Sequence, residues 1–300
     1  MVLATSPPLF VGVSGWAAAK VKHAKFIFDV RDLWPEVAVK MGELSNAKAI
    51  LLAEKIEGFL YRKADLITPV TDSFLETIAS KGIPPTKMQV IPNGTEPDTF
   101  NTAASKESLR SRHQLPNKCI VSFIGNMGLA QGLEHVIVAA QQSWEKGEDQ
   151  VLFLFVGDGP RKERLVKMTQ EAGLTNVLFR DRVPLELAVE YMNASDYLIV
   201  SLANDPIYAK FIPSKLFDSM AASKPVLLSV DGESRVILDA SAAGIYYPAE
   251  NAQALLDAIE KLRTNPVIAQ EMGIRGRDYV TQHFSRRAQA LKMLEAMKRV

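Results

Sequence analysis

"CIVSFIGNMGLAQGLEHVIVAA", Cys119–Ala140, reads as strand, glycine-rich turn and helix. Its opening run is apolar without alternation, which marks a strand covered on both faces, as in a parallel sheet flanked by helices. The same rhythm extends both ways along the chain. "VLAT" (2–5), "KFIFDV" (25–30), "DLITPV" (65–70) and "MQVIP" (88–92) precede it; "VLFLFVG" (151–157), "NVLFR" (176–180), "DYLIVSL" (196–202), "KPVLLSV" (224–230) and "GIYYP" (244–248) follow. Helix-length stretches separate these runs. "ALLDAIEKL" (254–262) repeats its apolar residues at i, i+3 and i+4, as an amphipathic helix does. Strand and helix in alternation predict an α/β protein with doubly wound parallel sheets.

A chain of 300 residues suits two domains of ordinary size. The stretch 92–118 is rich in turn formers and polar residues and supplies the boundary. Six strand runs after it complete a Rossmann-like domain, whereas four before it leave the N-terminal domain incomplete. The expected division is a partial N-terminal domain over 1–100, a linker over 101–117, a C-terminal Rossmann-like domain over 118–284 and a final helix over 285–300. That basic amphipathic helix is expected to cross back and brace the N-terminal domain.

With 47% hydrophobic and 23% charged residues the chain can bury real cores, and a formal charge of +1 argues against nucleic acid as a partner. A single cysteine, Cys119, excludes an internal disulfide and suits a reducing cytosol. Its place in an apolar strand predicts an inert core thiol. His23, His113, His135 and His283 show no metal-ligand spacing, so no metal and no cofactor is expected. The uncharged opening "MVLATSPPLFVGVSGWAAA" lacks the basic start of a signal peptide and is read as strand, turn and buried helix.

Three stretches carry chemistry. Gly125, Gly128 and Gly132 permit a tight turn that brings amide donors and a helix start toward an anion. Their spacing matches neither the dinucleotide fingerprint nor a P-loop, so an ordinary strand-to-helix turn is an equal reading. Gly157-Asp158-Gly159 follows the next strand, but Lys162 stands where the fingerprint needs glycine. A tight turn with Pro160 starting a helix is the favoured reading there. In "FIPSKLFDSMAASKPVL" (211–227), Ser214 can cap a helix, Lys215 can reach a phosphate at its positive end, and Asp218 can accept from a vicinal diol. The plainer reading makes Asp218 a helix-dipole partner and Lys215 its surface counterion. Both this helix and the glycine turn follow strand carboxyl ends, where doubly wound sheets bind ligands.

Taken in order, "DVRDLWPE" (29–36), "YRKADLITPVTDSFLETIASKGIPPTKMQVIPNGTEPDTF" (61–100), "FIGNMGLAQGLEHVIVAA" (123–140), "FVGDGPRKERL" (155–165), "NVLFRDRVPLELAVEYMNASDYLIVSL" (176–202) and "IPSKLFDSMAASKPVL" (212–227) resemble the retaining sugar-nucleotide glycosyltransferases of family 4. The first of them is similar to the bacterial subgroup that builds surface polysaccharides. The resemblance implies the GT-B fold, two Rossmann-like domains facing a cleft, the N-terminal one incomplete. It implies transfer of a sugar, such as an N-acetylated amino sugar, from a UDP-sugar to a lipid-linked or saccharide acceptor. Members of the family carry a much longer stretch ahead of "DVRDLWPE" than the 28 residues here, so N-terminal truncation is expected.

By that resemblance Gly125, Asn126, Gly128 and Gln131 wrap the diphosphate, with Asn126 and Gln131 standing where many members carry arginine and lysine. Lys215, beside Ser214, is the candidate to restore one of those charges. The second glutamate of the family's Glu-x7-Glu signature falls on Asp218, the ribose ligand, and the first on Lys210. Arg182 and Val183 meet the nucleobase through their backbone. Arg31 stands where many relatives have a histidine near the transferred sugar, followed by Asp32, and these two join Lys215 as catalytic candidates. The leaving phosphate helps to deprotonate the acceptor, so neither a protein nucleophile nor a metal is required. The implied location is cytoplasmic, with peripheral contact at the inner face of the plasma membrane. The competing readings are a UDP-sugar 2-epimerase of the same fold and a truncated, non-catalytic nucleotide-sugar-binding remnant.

Overall fold

The computed structural model describes residues 1–147 and 149–300, and the chain falls into two compact units: 1–93 with 286–300, and 94–285. In the first, strands β1 (Val2–Ser6), β2 (Phe26–Val30) and β3 (Leu66–Pro69) form a parallel sheet in that order. Helix α1 (Leu9–Val21) links β1 to β2; α2 (Glu36–Lys40) and α3 (Ala47–Lys63) link β2 to β3; α4 (Asp72–Ser80) follows. Asn46 and Thr71 cap α3 and α4 through their side chains. β2 is buried at every position, including Asp29, the one charged residue in its otherwise apolar run.

Two expectations change here. "MQVIP" does not become a strand: Met88 makes only an isolated bridge to Ile67. Gln89 and Ile91 donate their amides to the carbonyls of Ile67 and Pro69, but Pro69 has no N–H with which to return a bond, so no ladder propagates. Helix α1 is not a buried helix. It is apolar on every face and buries Leu9, Gly12 and Ala19, while Phe10, Val11 and Val21 remain exposed because the sheet covers one side only.

The second unit runs α5 (Lys106–Arg112), β4 (Cys119–Ile124), α6 (Glu134–Glu145), β5 (Val151–Val156), α7 (Lys162–Glu171), β6 (Val177–Arg180), α8 (Leu185–Ala194), β7 (Tyr197–Val200), α9 (Ser214–Ala221), β8 (Val226–Leu228), α10 (Glu233–Ser241), β9 (Gly244–Tyr246), α11 (Ala252–Arg263) and α12 (Pro266–Phe284). Its six-stranded sheet is parallel with the order β6-β5-β4-β7-β8-β9. Alternate residues of each strand serve opposite faces. Ile120 and Ile124 pack into one core cluster, and Val121 and Phe123 into the other. Only the edge strands β6 and β9 are half-buried throughout.

The connections run outward in opposite directions from the β4–β7 pair, so a crevice opens past the carboxyl ends of those two strands. That crevice is where such a fold positions a site. The last helix, α13 (Arg286–Met297), belongs to the first unit, where Ala296, Met297 and Val300 pack on Ile27 and Leu66. Among the described residues no helix is long and apolar enough to cross a membrane.

Candidate nucleotide-binding site

At the carboxyl end of β4, residues 125–132 make a turn that is stitched to the turn after β5. The amide of Gly125 donates to the Val156 carbonyl (2.8 Å), that of Met127 to Asp158 (2.8 Å), and that of Arg161 to Met127 (2.9 Å). The fit leaves no room for side chains. Gly157 has φ +144°, and a Cβ there would overlap the carbonyl oxygen of Gly125, itself at φ +133°. Lys162 braces the pair, donating to the Gly157 carbonyl (3.1 Å) and to Asp181 (2.6 Å).

Gly157 to Gly159 form a turn after β5, as expected of them. With Gly125, Asn126, Arg182 and Val183 they line one cleft of about 550 Å³. The signal in the sequence was a Gly-x-Gly directly after an apolar strand. Helix α7 begins at Lys162, not at Pro160.

The other side of the turn is equally fastened. Gln131 accepts the Gly128 amide with its side-chain oxygen (2.8 Å), and its carbonyl accepts from Ser201 Oγ (2.7 Å). Ala203 in the loop after β7 donates to Ala130 (2.8 Å). His135 is buried, and burial lowers its pKa, which favours the neutral imidazole. Its Nδ1–H donates to the Gly132 carbonyl (2.7 Å), leaving Nε2 to accept from the Tyr247 hydroxyl (3.0 Å). The loops that flank the crevice are therefore held before any ligand arrives.

Helix α9 starts beside this turn. Ser214 does not cap it; Pro213 occupies the cap position, and Ser214 is the exposed first helical residue, with no side-chain cap bond. Nor is Lys215 a surface counterion. Its ammonium sits 5.2 Å from the centre of the Phe123 ring and 3.0 Å from where a Gly125 Cβ would lie. Desolvation lowers its pKa, and the Asp218 carboxylate opposes that shift. Asp218, one turn further on, accepts a 2.7 Å hydrogen bond from Thr95 Oγ1. Nothing in the sequence near Thr95 announced its bond to Asp218.

Arg31 and Asp32 lie at the end of β2 in the first unit. Arg31 Nε donates to Asp29 Oδ2 (2.7 Å) and its NH1 to Asn93 Oδ1 (2.7 Å). Asp29, 2% exposed, also accepts from Thr5 (3.1 Å) and Thr68 (2.8 Å), so one buried carboxylate gathers three donors from three places in the chain. Burial raises the Asp32 carboxyl from 3.8 to about 6. The folded chain then holds that proton more tightly than the unfolded chain, so ionised Asp32 opposes folding. The penalty is absent below about pH 4 and complete above about pH 6. Asp32→Asn is expected to be more stable than the parent at pH 7.5, with the difference vanishing by pH 4 in denaturation series. A difference that does not change with pH would remove this account of Asp32.

Burial also raises the Cys119 thiol to about 12, which keeps it an unreactive thiol. Among the described residues, no group of three or more His, Cys, Asp or Glu is placed to hold a metal ion.

The family model of the glycosyl transferases group 1 matches residues 105–279, and that of the glycosyl transferase 4-like domain matches residues 1–94. Among curated proteins the chain is similar to "Probable glycosyltransferase WbjE" of Pseudomonas aeruginosa, 25% identical over 79% of this chain and 60% of that protein. It is similar also to "Putative colanic acid biosynthesis glycosyl transferase WcaI" of Escherichia coli, 26% identical over 77% of this chain and 57% of that protein. The chain therefore spans about three-fifths of the length of these relatives. Among solved structures, HepE of Anabaena in complex with UDP superimposes with a TM-score of 0.83 at 16% identity, over 100% of this chain and 79% of that one. Sucrose-phosphate synthase of Thermosynechococcus elongatus does so with 0.78 at 21% identity, over 99% and 72%. These neighbours share the GT-B fold. The chain belongs to the glycosyl transferases group 1 family.

Proposed function

We propose that the second unit binds a UDP-linked sugar, an N-acetylated amino sugar by the resemblance of its motifs. The chain would serve retaining transfer of that sugar to a lipid-linked or saccharide acceptor in cell-surface polysaccharide synthesis. The observation that carries this reading is the pair of interlocked glycine turns with Lys215 lying against Gly125 at the start of α9. A helix start and one ammonium meet there beside the glycine turns, a combination suited to a diphosphate. A diphosphate beside Lys215 would favour the ammonium that burial disfavours, so binding and protonation reinforce each other.

On this reading Gly125, Asn126, Gly128 and Gln131 enclose the diphosphate, Arg182 and Val183 meet the base, and Asp218 accepts from the ribose. Lys215 stabilises the negative charge that grows on the diphosphate as the glycosidic bond breaks, and the leaving phosphate takes the acceptor's proton. Arg31 and Asp32 are assigned to the reacting sugar by resemblance. WcaI is named for colanic acid biosynthesis and the HepE structure holds UDP, which supports polysaccharide synthesis and the uridine nucleotide. Lipid-linked acceptors place the reaction in the cytoplasm, with peripheral contact at the inner face of the plasma membrane.

Calorimetric titration with UDP, using GDP and ADP as controls, tests the reading. Selective binding of UDP is the expected result, and equal or absent binding of all three would overturn it. Lys215→Ala is expected to weaken UDP by about 1.5–3 kcal/mol, roughly 10- to 150-fold, because a charge-assisted contact to phosphate is lost. Uridine, which has no phosphate, should bind both forms alike. Equal losses for the two ligands would take Lys215 away from the diphosphate.

A further inference from the structure

Asp218 and Thr95 are 123 residues apart in the chain and meet through a 2.7 Å hydrogen bond. Thr95 is 1% exposed, and its backbone is fixed independently of that bond. Its amide donates to the Phe284 carbonyl (2.9 Å), and it pairs with Ser285 as a parallel bridge. Phe284 in turn stacks on Phe217, the neighbour of Asp218, with ring centres 4.6 Å apart. Arg277 ties the same segment to α9, reaching the carbonyls of Ala221 (2.6 Å) and Pro97 (3.1 Å). The threonine hydroxyl is thus presented to α9 from a rigid mount, on a β-branched side chain with little rotamer freedom.

An aspartate carboxylate turns readily about its last torsion, so its two oxygens exchange places. A donor anchored on one of them stops that rotation and sets the direction of the other. We infer that Thr95 is the positioning residue for Asp218: it orients the carboxylate that recognises the ribose hydroxyls, and so sets the preference for ribose over deoxygenated sugars. The inference rests on the reading of Asp218 as the ribose ligand. On this inference Thr95 acts through Asp218, restraining the carboxylate's rotation before a ligand binds.

The test compares UDP with its 2′,3′-dideoxy analogue by calorimetry on the parent, Thr95→Val, Thr95→Ala, Thr95→Ser and Asp218→Ala. Thr95→Val keeps the shape and removes the hydroxyl; it should weaken UDP about five- to tenfold while the dideoxy analogue changes by less than about twofold. Thr95→Ala, which buries no new methyl group, should give the same contrast, and Thr95→Ser should restore the parent's affinity. Asp218→Ala should erase the preference for UDP over the dideoxy analogue. If Thr95→Val and Thr95→Ala weaken both ligands equally, or leave the preference intact while Asp218→Ala abolishes it, Thr95 has no positioning role. If Asp218→Ala itself preserves the preference, the ribose reading falls and the role of Thr95 falls with it.

Discussion

Gly157→Ala is expected to destabilise the second unit by about 4 kcal/mol and to abolish UDP binding. Two penalties combine. At φ +144° an L side chain is strained, worth about 1–3 kcal/mol. The new methyl would also overlap the Gly125 carbonyl, a backbone atom that no rotamer change can move, and such overpacking adds about 1–3 kcal/mol. Relief requires the two turns to part, which breaks the bonds from Gly125 to Val156 and from Met127 to Asp158 and deforms the cleft they line. Gly173→Ala is the control: its φ is also positive, at +63°, but nothing lies within 4 Å of the added carbon, so it should cost only about 1 kcal/mol. Urea denaturation of both variants decides the point. A loss at Gly157 no greater than at Gly173 would mean that the turns yield and the interlock is slack.

Asp29→Ala is the second large effect, and it falls on the first unit. The carboxylate lies near the carboxyl end of β2 and binds Arg31, Thr5 and Thr68, so its removal strips a partner from a guanidinium and from two hydroxyls at once. Breaking a buried ion pair costs about 3–5 kcal/mol, and Arg31, with 31% of its side chain exposed, can recover some solvation. The lower end, about 3 kcal/mol, is therefore expected. Hydrogen exchange should show β1, β2 and β3 losing protection together while the second unit keeps its own. Unaltered exchange in the three strands would show that Asp29 is not what joins them. The result bears on function too, because Asp29 and Asn93 together hold Arg31, a candidate for the reacting sugar.

Much of the fold was legible in the sequence. A strand buried on both faces is apolar along most of its length rather than at alternate positions, so the runs at 25–30, 119–125, 151–157 and 196–202 announced themselves locally even with Asp29 and Ser122 buried inside two of them. The exceptions have local causes that hydrophobicity does not report. "MQVIP" is apolar enough to be a strand, but its partner offers a proline where the ladder needs an amide. Helix α1 carries no polar face from which its exposed side could have been read. Ser214 was a cap candidate by residue type, and only backbone geometry moved that position to Pro213.

Of the candidate site, the sequence by itself determined which turns carry glycine, that a lysine and an aspartate share one end of a helix, and that both features follow strand ends. Those properties are local, written within one turn or one period of an element. Only the tertiary structure decided that Gly157 lies against Gly125, that Lys215 covers Phe123 rather than facing solvent, and that Thr95 holds Asp218. The strand order β6-β5-β4-β7-β8-β9 brings the first pair together, and the return of α12 to residue 95 creates the last. Periodicity states which face of an element is buried. The crossovers decide which distant residue fills the space against it, and no local pattern encodes that choice.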